Sequence, residues 1–426
     1  MVEPYHGSPV VGNASRRSPS ACCCRTGLPM GLEGTVTMGW GQSTGNVPIC
    51  VDGRMIGPGG TGVSTYARSL AEAVGAISEH RYLLVARRTD DGPLMQALDL
   101  LRNTPRRLER RSDCRGGVLE GRDIFRRAHI HFKVRRRLYR VRCDVPLGIM
   151  HWTYPVPMMM EGWINLYTVH DAIPFDRPDL TPINARRHRA VVEAIVAHGD
   201  GITTVSQSAR KALVSALGCR PEFVADTGQP VDIADAVPGP LPTGLVKNGY
   251  FLVVGSVEPR KNLATILAAF RYADTDLPLV VVGPDGWRAG PILADIAATP
   301  RVIRIAYAER DVLLGLIQNA RALIFPSLAE GFGLPIVEAM ALGTPVLTSD
   351  RDAPAEIAGD AALTVDPTNI AAISAALIEL ASDDALNAIL SQRGIARAAM
   401  FSRDRFVGRL GRVYDDALQA RADRGN

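Results

Sequence analysis

The chain has 426 residues, 46% hydrophobic and 22% charged, with 48 Lys and Arg against 44 Asp and Glu for a formal net charge of +4. This is an ordinary soluble globular composition, long enough for two or three domains at about 150 residues each. It contains no apolar run of about 18 residues, which argues against a membrane-spanning helix. Its seven cysteines show no CxxC spacing, so neither a zinc site nor a disulfide framework is expected, and reduced thiols in a cytosol are the plain reading.

Residues 1–45 are rich in Gly, Ser and Pro without periodicity and read as a disordered leader. No basic stretch there runs into an apolar one, so no signal peptide is expected. Met38 is a candidate start, and Cys22-Cys23-Cys24 reads as unstructured leader rather than as a lipidation site. A first strand is expected at 47–51, followed by the loop Gly57-x-Gly59-x-x-Gly62 and a helix at 64–74. Strands recur at 82–86, 166–170 and 202–205, with an amphipathic helix at 185–198. This alternation indicates a parallel α/β layer, assigned to a first domain at 46–232. Pro238, Pro240, Pro242 and Gly244 mark 233–248 as a linker. A second series follows in 249–400: strands at 251–255, 279–282, 302–305 and 322–325, with a helix at 263–270. The segment 401–426 reads as a final helix over 401–420, capped by Ser402.

Open parallel sheets bind ligands beyond the carboxyl ends of their strands, so the chemistry is sought there. The segment Phe325-Pro326-Ser327-Leu328-Ala329-Glu330-Gly331-Phe332-Gly333-Leu334-Pro335 leads from the strand at 322–325 into a helix. Pro335 suits a first helical turn, and Gly343 stops the helix before a strand at 345–348. Gly331 and Gly333 let a ligand approach the backbone, and the helix start favours a phosphate. Glu330 lies just before the turn and Glu338 about one helical turn into the helix. Carboxylates accept hydrogen bonds from hydroxyls, so the pair suits two sugars on either side of a diphosphate.

Two further loops fit that ligand. Glu258-Pro259-Arg260-Lys261-Asn262 follows the first strand of the second domain, and Arg260 and Lys261 offer a planar fork and a compact charge for phosphate. Gly283-Pro284-Asp285-Gly286 ends the next strand and is expected to border the nucleotide. The loop Gly57-x-Gly59-x-x-Gly62 fits a dinucleotide fingerprint, but no acidic residue ends a second strand about 20 positions on, as an NAD site requires.

These elements resemble family 4 retaining glycosyltransferases. The resemblance rests on the Glu-x7-Glu spacing of Glu330 and Glu338, on Glu258 to Asn262, and on His170-Asp171-x-x-Pro174, and it spans about residues 46–420. It implies a GT-B fold: two Rossmann-like α/β domains facing across a cleft, with the C-terminal helix crossing back onto the first. It also implies roles. Glu330 would contact hydroxyls of the transferred sugar, and Glu338 the ribose. The backbone of Phe332, Gly333 and Leu334 would meet the diphosphate, together with Lys261 and Arg260. His170 would approach the sugar from the first domain, and the glycine loop around Gly60 would face the donor phosphates. Residues 307–310 would lie near the base. No metal and no cofactor are expected beyond the nucleotide-sugar co-substrate.

The flavour of the motifs resembles bacterial mannosyltransferases of surface polysaccharide assembly, which implies mannose from GDP-mannose and a lipid-linked or polysaccharide acceptor. The alternatives are a UDP-sugar transferase of the same fold, a GT-B sugar-nucleotide epimerase and a non-catalytic glycan-binding protein. Residues 106–142 hold 14 Arg and Lys against 4 Asp and Glu, a local charge of +10 in a chain of +4, which leaves −6 for the rest. Phe125, Ile130, Phe132, Val134, Leu138 and Tyr139 interleave with these charges. Docking on an anionic membrane is preferred to nucleic-acid binding, which places the protein in the cytoplasm, peripheral to the inner face of the membrane.

Overall fold

A computed structural model of the chain describes residues 45–57, 62–87, 106–113, 116–231, 233 and 236–425. Gly60, Met38, the triple cysteine and all of the expected leader except Gly45 lie outside the described residues.

The first domain carries β1 (Ile49–Asp52), β2 (Arg81–Arg87), β3 (Arg106–Arg107), β4 (Glu109–Asp113), β5 (Gly116–Arg122), β6 (Tyr139–Arg142), β7 (Ile149–Trp152), β8 (Met158–Met160), β9 (Ile164–Thr168), β10 (Gly201–Thr204) and β11 (Val224–Asp226). Eight of these form one sheet in the order β11-β10-β9-β7-β1-β2-β5-β4, parallel except for β4 against β5, and β3-β6-β8 form a small parallel sheet. The second domain has β12 (Phe251–Val254), β13 (Leu279–Val282), β14 (Val302–Ile305), β15 (Ala322–Phe325), β16 (Val346–Ser349) and β17 (Leu363–Val365), all parallel in the order β14-β13-β12-β15-β16-β17. This is the 3-2-1-4-5-6 order of a doubly wound sheet, whose connections reverse direction between β12 and β15.

The sequence dictates much of this locally. β12, β13, β15 and β16 are buried at every position, as expected of strands covered by helices on both faces. Each fully buried Leu, Ile, Val or Phe contributes about 1.5–3 kcal/mol relative to exposure. The amphipathic helix forms over Ala185–His198, with the Asn184 side chain accepting from the Arg187 N–H at 2.9 Å as its cap. Residues 236–248 carry neither helix nor strand.

The last helix, Arg403–Gly425, leaves the second domain and packs on the first. Tyr414 is fully buried, with its hydroxyl 2.8 Å from Nδ1 of His151. Phe406 meets the ring of Tyr66 edge-on, and Arg403 approaches Glu72 at 3.5 Å. Nε2 of His151 lies 3.0 Å from Thr168 Oγ1 and 3.1 Å from Thr203 Oγ1, so a polar network inside the first domain is closed by a tyrosine from the end of the chain.

The basic segment folds as β3 to β6 with a helix at Ile124–Arg135. Most of its apolar residues point inward. Phe132 and Leu138 are buried, Phe125 and Tyr139 pack against the same core, and Val134 is exposed. Arg110, Arg122, Arg126, Arg137 and Arg142 are exposed, so charge rather than apolar surface faces solvent.

Candidate functional site

The expected residues converge at the switch point of the second sheet, because β12 and β15 are neighbours there and each delivers a loop from its carboxyl end. After β12, the short 3₁₀ turn Pro259–Lys261 presents two cations. Asn262 ends the turn with φ +62, a left-handed conformation that Asn tolerates, and its amide donates to the carbonyls of Pro326 (2.9 Å) and Pro367 (2.6 Å). The Leu328 N–H donates to the carbonyl of Arg260 at 2.9 Å. The two loops are thus bolted together by hydrogen bonds that no strand pairing supplies.

The result is one charged cluster. Lys261 Nζ donates to Oε1 of Glu330 at 2.6 Å, and Arg260 Nη1 to Oε2 at 2.6 Å. Arg260 also gives Nε and Nη2 to Oε1 of Glu258, at 3.0 and 2.6 Å, and Nη1 to the carbonyl of Ala329 at 3.2 Å. The Lys261 ammonium lies 4.5 Å from the centre of the Phe325 ring. Burial alone would raise the Glu330 carboxyl, but Arg260 and Lys261 overcome it and hold it down at about 2. Burial lowers Lys261 more than Glu330 raises it, and the carboxylates around Arg260 raise the guanidinium despite its burial.

Gly255 makes room for this arrangement. Its φ is +145, and a Cβ there would stand 3.1 Å from Cε of Lys261. Gly255 thus lies against the lysine stem.

Glu338 lies in the helix Leu334–Ala341, with Pro335 in its first turn and Gly333 as its cap at φ +103. Glu338 is 6% exposed, and its Oε1 accepts from Nη2 of Arg310 at 2.7 Å. Phe332 is buried and meets Phe401 edge-on, so its side chain serves the core and only its backbone is left for a ligand. A Cβ on Gly62 would lie 3.4 Å from Leu334, which brings the end of the first-domain glycine loop to the turn before the helix Leu334–Ala341. Gly283 ends β13 at φ +142, packed against the Gly255 backbone, and Arg304 donates to its carbonyl.

His170 stands on the opposite wall. Its Nε2 donates to the carbonyl of Thr153 at 3.0 Å, which fixes the protonated nitrogen. Burial pulls its pKa down to about 4, against the opposing pull of that hydrogen bond, so the ring is neutral near pH 7. Tyr66 contacts it edge-on, with centroids 4.9 Å apart, and Tyr154 stacks on it at 6.2 Å. The Asp171 side chain accepts from the Ile173 N–H at 3.0 Å as a turn cap, and it lies close enough to feel the charges of Arg260 and Glu330.

The structure therefore gathers Glu330, Lys261, Arg260, Phe332, Gly333, Leu334 and Glu338 around one strand–turn–helix and its neighbouring loop, with His170 facing them. Sequence reasoning missed Glu258 as the second partner of Arg260 and Asn262 as the residue that ties this loop to Pro326 and Pro367. Both sit within the same five-residue motif, and Asn directly after Arg-Lys was the available signal. Among the described residues, no group of three or more His, Cys, Asp or Glu is gathered to hold a metal ion. No helix among them is long and apolar enough to cross a membrane.

Residues 244–397 match the family described as glycosyl transferases group 1. The chain is 28% identical over 371 residues to O-antigen chain mannosyltransferase B of Escherichia coli, covering 80% of this chain and 92% of that protein. Among solved structures it resembles sucrose-phosphate synthase from Thermosynechococcus elongatus, with a TM-score of 0.64 at 19% identity, covering 88% of this chain and 100% of that one. It also resembles Anabaena HepE in complex with UDP and glucose, with a TM-score of 0.63 at 14% identity, covering 87% and 100%. Two doubly wound sheets, a helix that crosses back, and a group 1 domain that holds the whole charged cluster agree on one conclusion: the chain is a glycosyltransferase of the GT-B fold.

Proposed function

We propose that the protein is a retaining transferase that moves mannose from GDP-mannose to a lipid-linked or polysaccharide acceptor. The observation that carries the donor-site reading is the Lys261–Glu330–Arg260 cluster at the switch point of the second sheet, beside the turn Phe332-Gly333-Leu334. The choice of sugar rests on the likeness to O-antigen chain mannosyltransferase B. Glu338 holds the ribose, and Glu330 accepts from hydroxyls of the sugar. As the glycosidic bond breaks, its electron pair passes to the β-phosphate oxygen, where Lys261 and Arg260 stabilise the growing charge. The acceptor hydroxyl attacks from the face that the diphosphate leaves, and its proton passes to a phosphate oxygen. His170, neutral and fixed by Thr153, lines the sugar side of the cleft. The chain needs no metal or other cofactor for these steps.

Thermal-shift measurements with GDP and UDP test the donor. A ligand at 100 times its Kd adds about 2.7 kcal/mol of stability, enough to see clearly. Stabilisation by GDP, with transfer of labelled mannose from GDP-mannose, is the expected result. Stabilisation by UDP alone would replace the donor with a UDP-sugar, the nucleotide named with HepE. Conversion of a nucleotide sugar without any acceptor would indicate an epimerase. The lipid-linked form of the acceptor rests on the exposed arginines of residues 106–142, which would draw the protein to anionic lipid at about 1 kcal/mol each. Co-sedimentation with anionic vesicles that weakens with salt is expected, and no binding at low salt would remove the membrane from this reading.

A further inference from the structure

Across the cleft, the turn that carries Glu330 is gripped by a residue of the first domain. Ser206 follows β10 and caps the helix Gln207–Leu217, accepting from the Ala209 N–H at 3.1 Å. Its hydroxyl donates in turn to the carbonyl of Gly331 at 2.8 Å, and Ser206 is 1% exposed. Beside it, Glu356 of the second-domain helix Asp352–Ala358 reaches the start of the same first-domain helix. It accepts from the Gln207 N–H at 2.9 Å and the Ser208 N–H at 2.6 Å. A carboxylate suits that position, because the first N–H groups of a helix lack partners and its dipole is positive there. Arg397 holds the backbone around Glu356, donating to the carbonyls of Glu356 (2.6 Å) and Ile357 (2.9 Å). Gly331 itself has no space for a Cβ, which would strike the carbonyl of His170.

Three hydrogen bonds thus run between the domains, and one ends on the residue next to Glu330. We propose that Ser206 is a positioning residue for glycosyl transfer, and that Ser206 and Glu356 form a clasp that couples closure of the two domains to the location of Glu330. This rests on the reading that Glu330 handles the donor sugar. Among the described residues, neither Ser206 nor Glu356 forms a hydrogen bond or ion pair with Arg260, Lys261 or Glu338, so the clasp sets the geometry of the reacting sugar without contributing to nucleotide affinity.

The test uses the full chain with Ser206→Ala, Ser206→Thr, Glu356→Ala, the Ser206→Ala/Glu356→Ala double variant and Glu330→Ala. Transfer kinetics, the affinities of GDP and UDP run in parallel, and the radius of gyration by small-angle scattering are measured for each. Loss of the clasp is expected to lower kcat about tenfold or more, since small misplacements of reacting groups cost that much. Nucleotide affinity stays at the wild-type value, the radius of gyration rises, and Ser206→Thr keeps most of the activity. The double variant falls no further than the worse single one, because the two act as a unit. Wild-type kcat in Ser206→Ala and Glu356→Ala, alongside an inactive Glu330→Ala, would overturn the clasp and leave the donor site standing. Full activity in Glu330→Ala would overturn the donor-site reading instead.

Discussion

Lys261 Nζ stands 2.6 Å from Oε1 of Glu330, and Arg260 takes the other oxygen of the same carboxylate at the same distance. The two cations share this anion, and Arg260 has Glu258 as a second partner, so removal of either cation leaves Glu330 paired with the other. Glu330→Ala is therefore expected to destabilise the fold more than Lys261→Ala. The first leaves two mostly buried cations short of a partner, at a cost of about 3 kcal/mol or more, whereas the second leaves Arg260 still paired. Melting temperatures of both variants check the order. Loss of Lys261 is also expected to lower kcat by about 10²–10³, the usual cost of one electrostatic group in such a site. A Lys261→Ala variant with wild-type kcat would remove the lysine from the chemistry.

Acid should destabilise the protein well before Glu330 titrates. Burial holds His170 down at about 4 and His151 at about 3, from an ordinary value of 6.5. Below pH 6.5 the unfolded chain takes up protons at these positions that the folded chain refuses, so stability falls as pH drops from 6.5 towards 4. Each such proton contributes a slope of about 1.4 kcal/mol per pH unit. The depressed Glu330 adds stability that is present above 4.5 and lost only as pH falls towards 2. Urea unfolding between pH 7 and 4.5 should show the histidine slope, and His151→Asn should reduce it. A flat profile across that range would contradict the buried neutral rings.

Gly331→Ala should damage activity out of proportion to its size. The added methyl meets the carbonyl of His170 and Cβ of Asp171, and the nearest obstacle is backbone, which limits relief. Transfer is expected to fall sharply while the second domain keeps its nucleotide affinity. Calorimetry beside activity measurements separates the two effects, and unchanged kcat would show that the turn can retreat from the first domain.

Tyr414→Phe removes a hydroxyl from the buried network on Nδ1 of His151 and leaves that nitrogen without its partner. The cost is expected at about 1–3 kcal/mol, with little change in nucleotide binding. Thermal unfolding reads it directly. A stability equal to wild type would mean that the network closes without the last helix.

Much of the second domain is legible in the chain because its signals are local. Strands such as Leu279–Val282 and Ala322–Phe325 are unbroken apolar runs, which a strand covered on both faces needs. Pro335 and the glycines around it mark the helix start, and Glu330 and Glu338 are brought near one helix by spacing alone. The basic segment was legible only as charge. Its interleaved Phe132 and Leu138 point into the core, one from the buried side of the helix Ile124–Arg135 and the other just before β6, which a count of charges cannot resolve.

What sequence by itself determined was the list of groups: two carboxylates, two cations, a glycine turn, a histidine at a strand end, and the doubly wound alternation that puts such groups at carboxyl strand ends. The tertiary structure decided which of them meet. Parallel pairing of β12 with β15 spans some 70 residues of chain and joins Lys261 to Glu330 (|i−j| of 69), while the approach of the two domains sets Ser206 on Gly331 at a separation of 125. Contacts of that range are fixed by the packing of whole sheets and helices rather than by local propensity, so no window of sequence contains them.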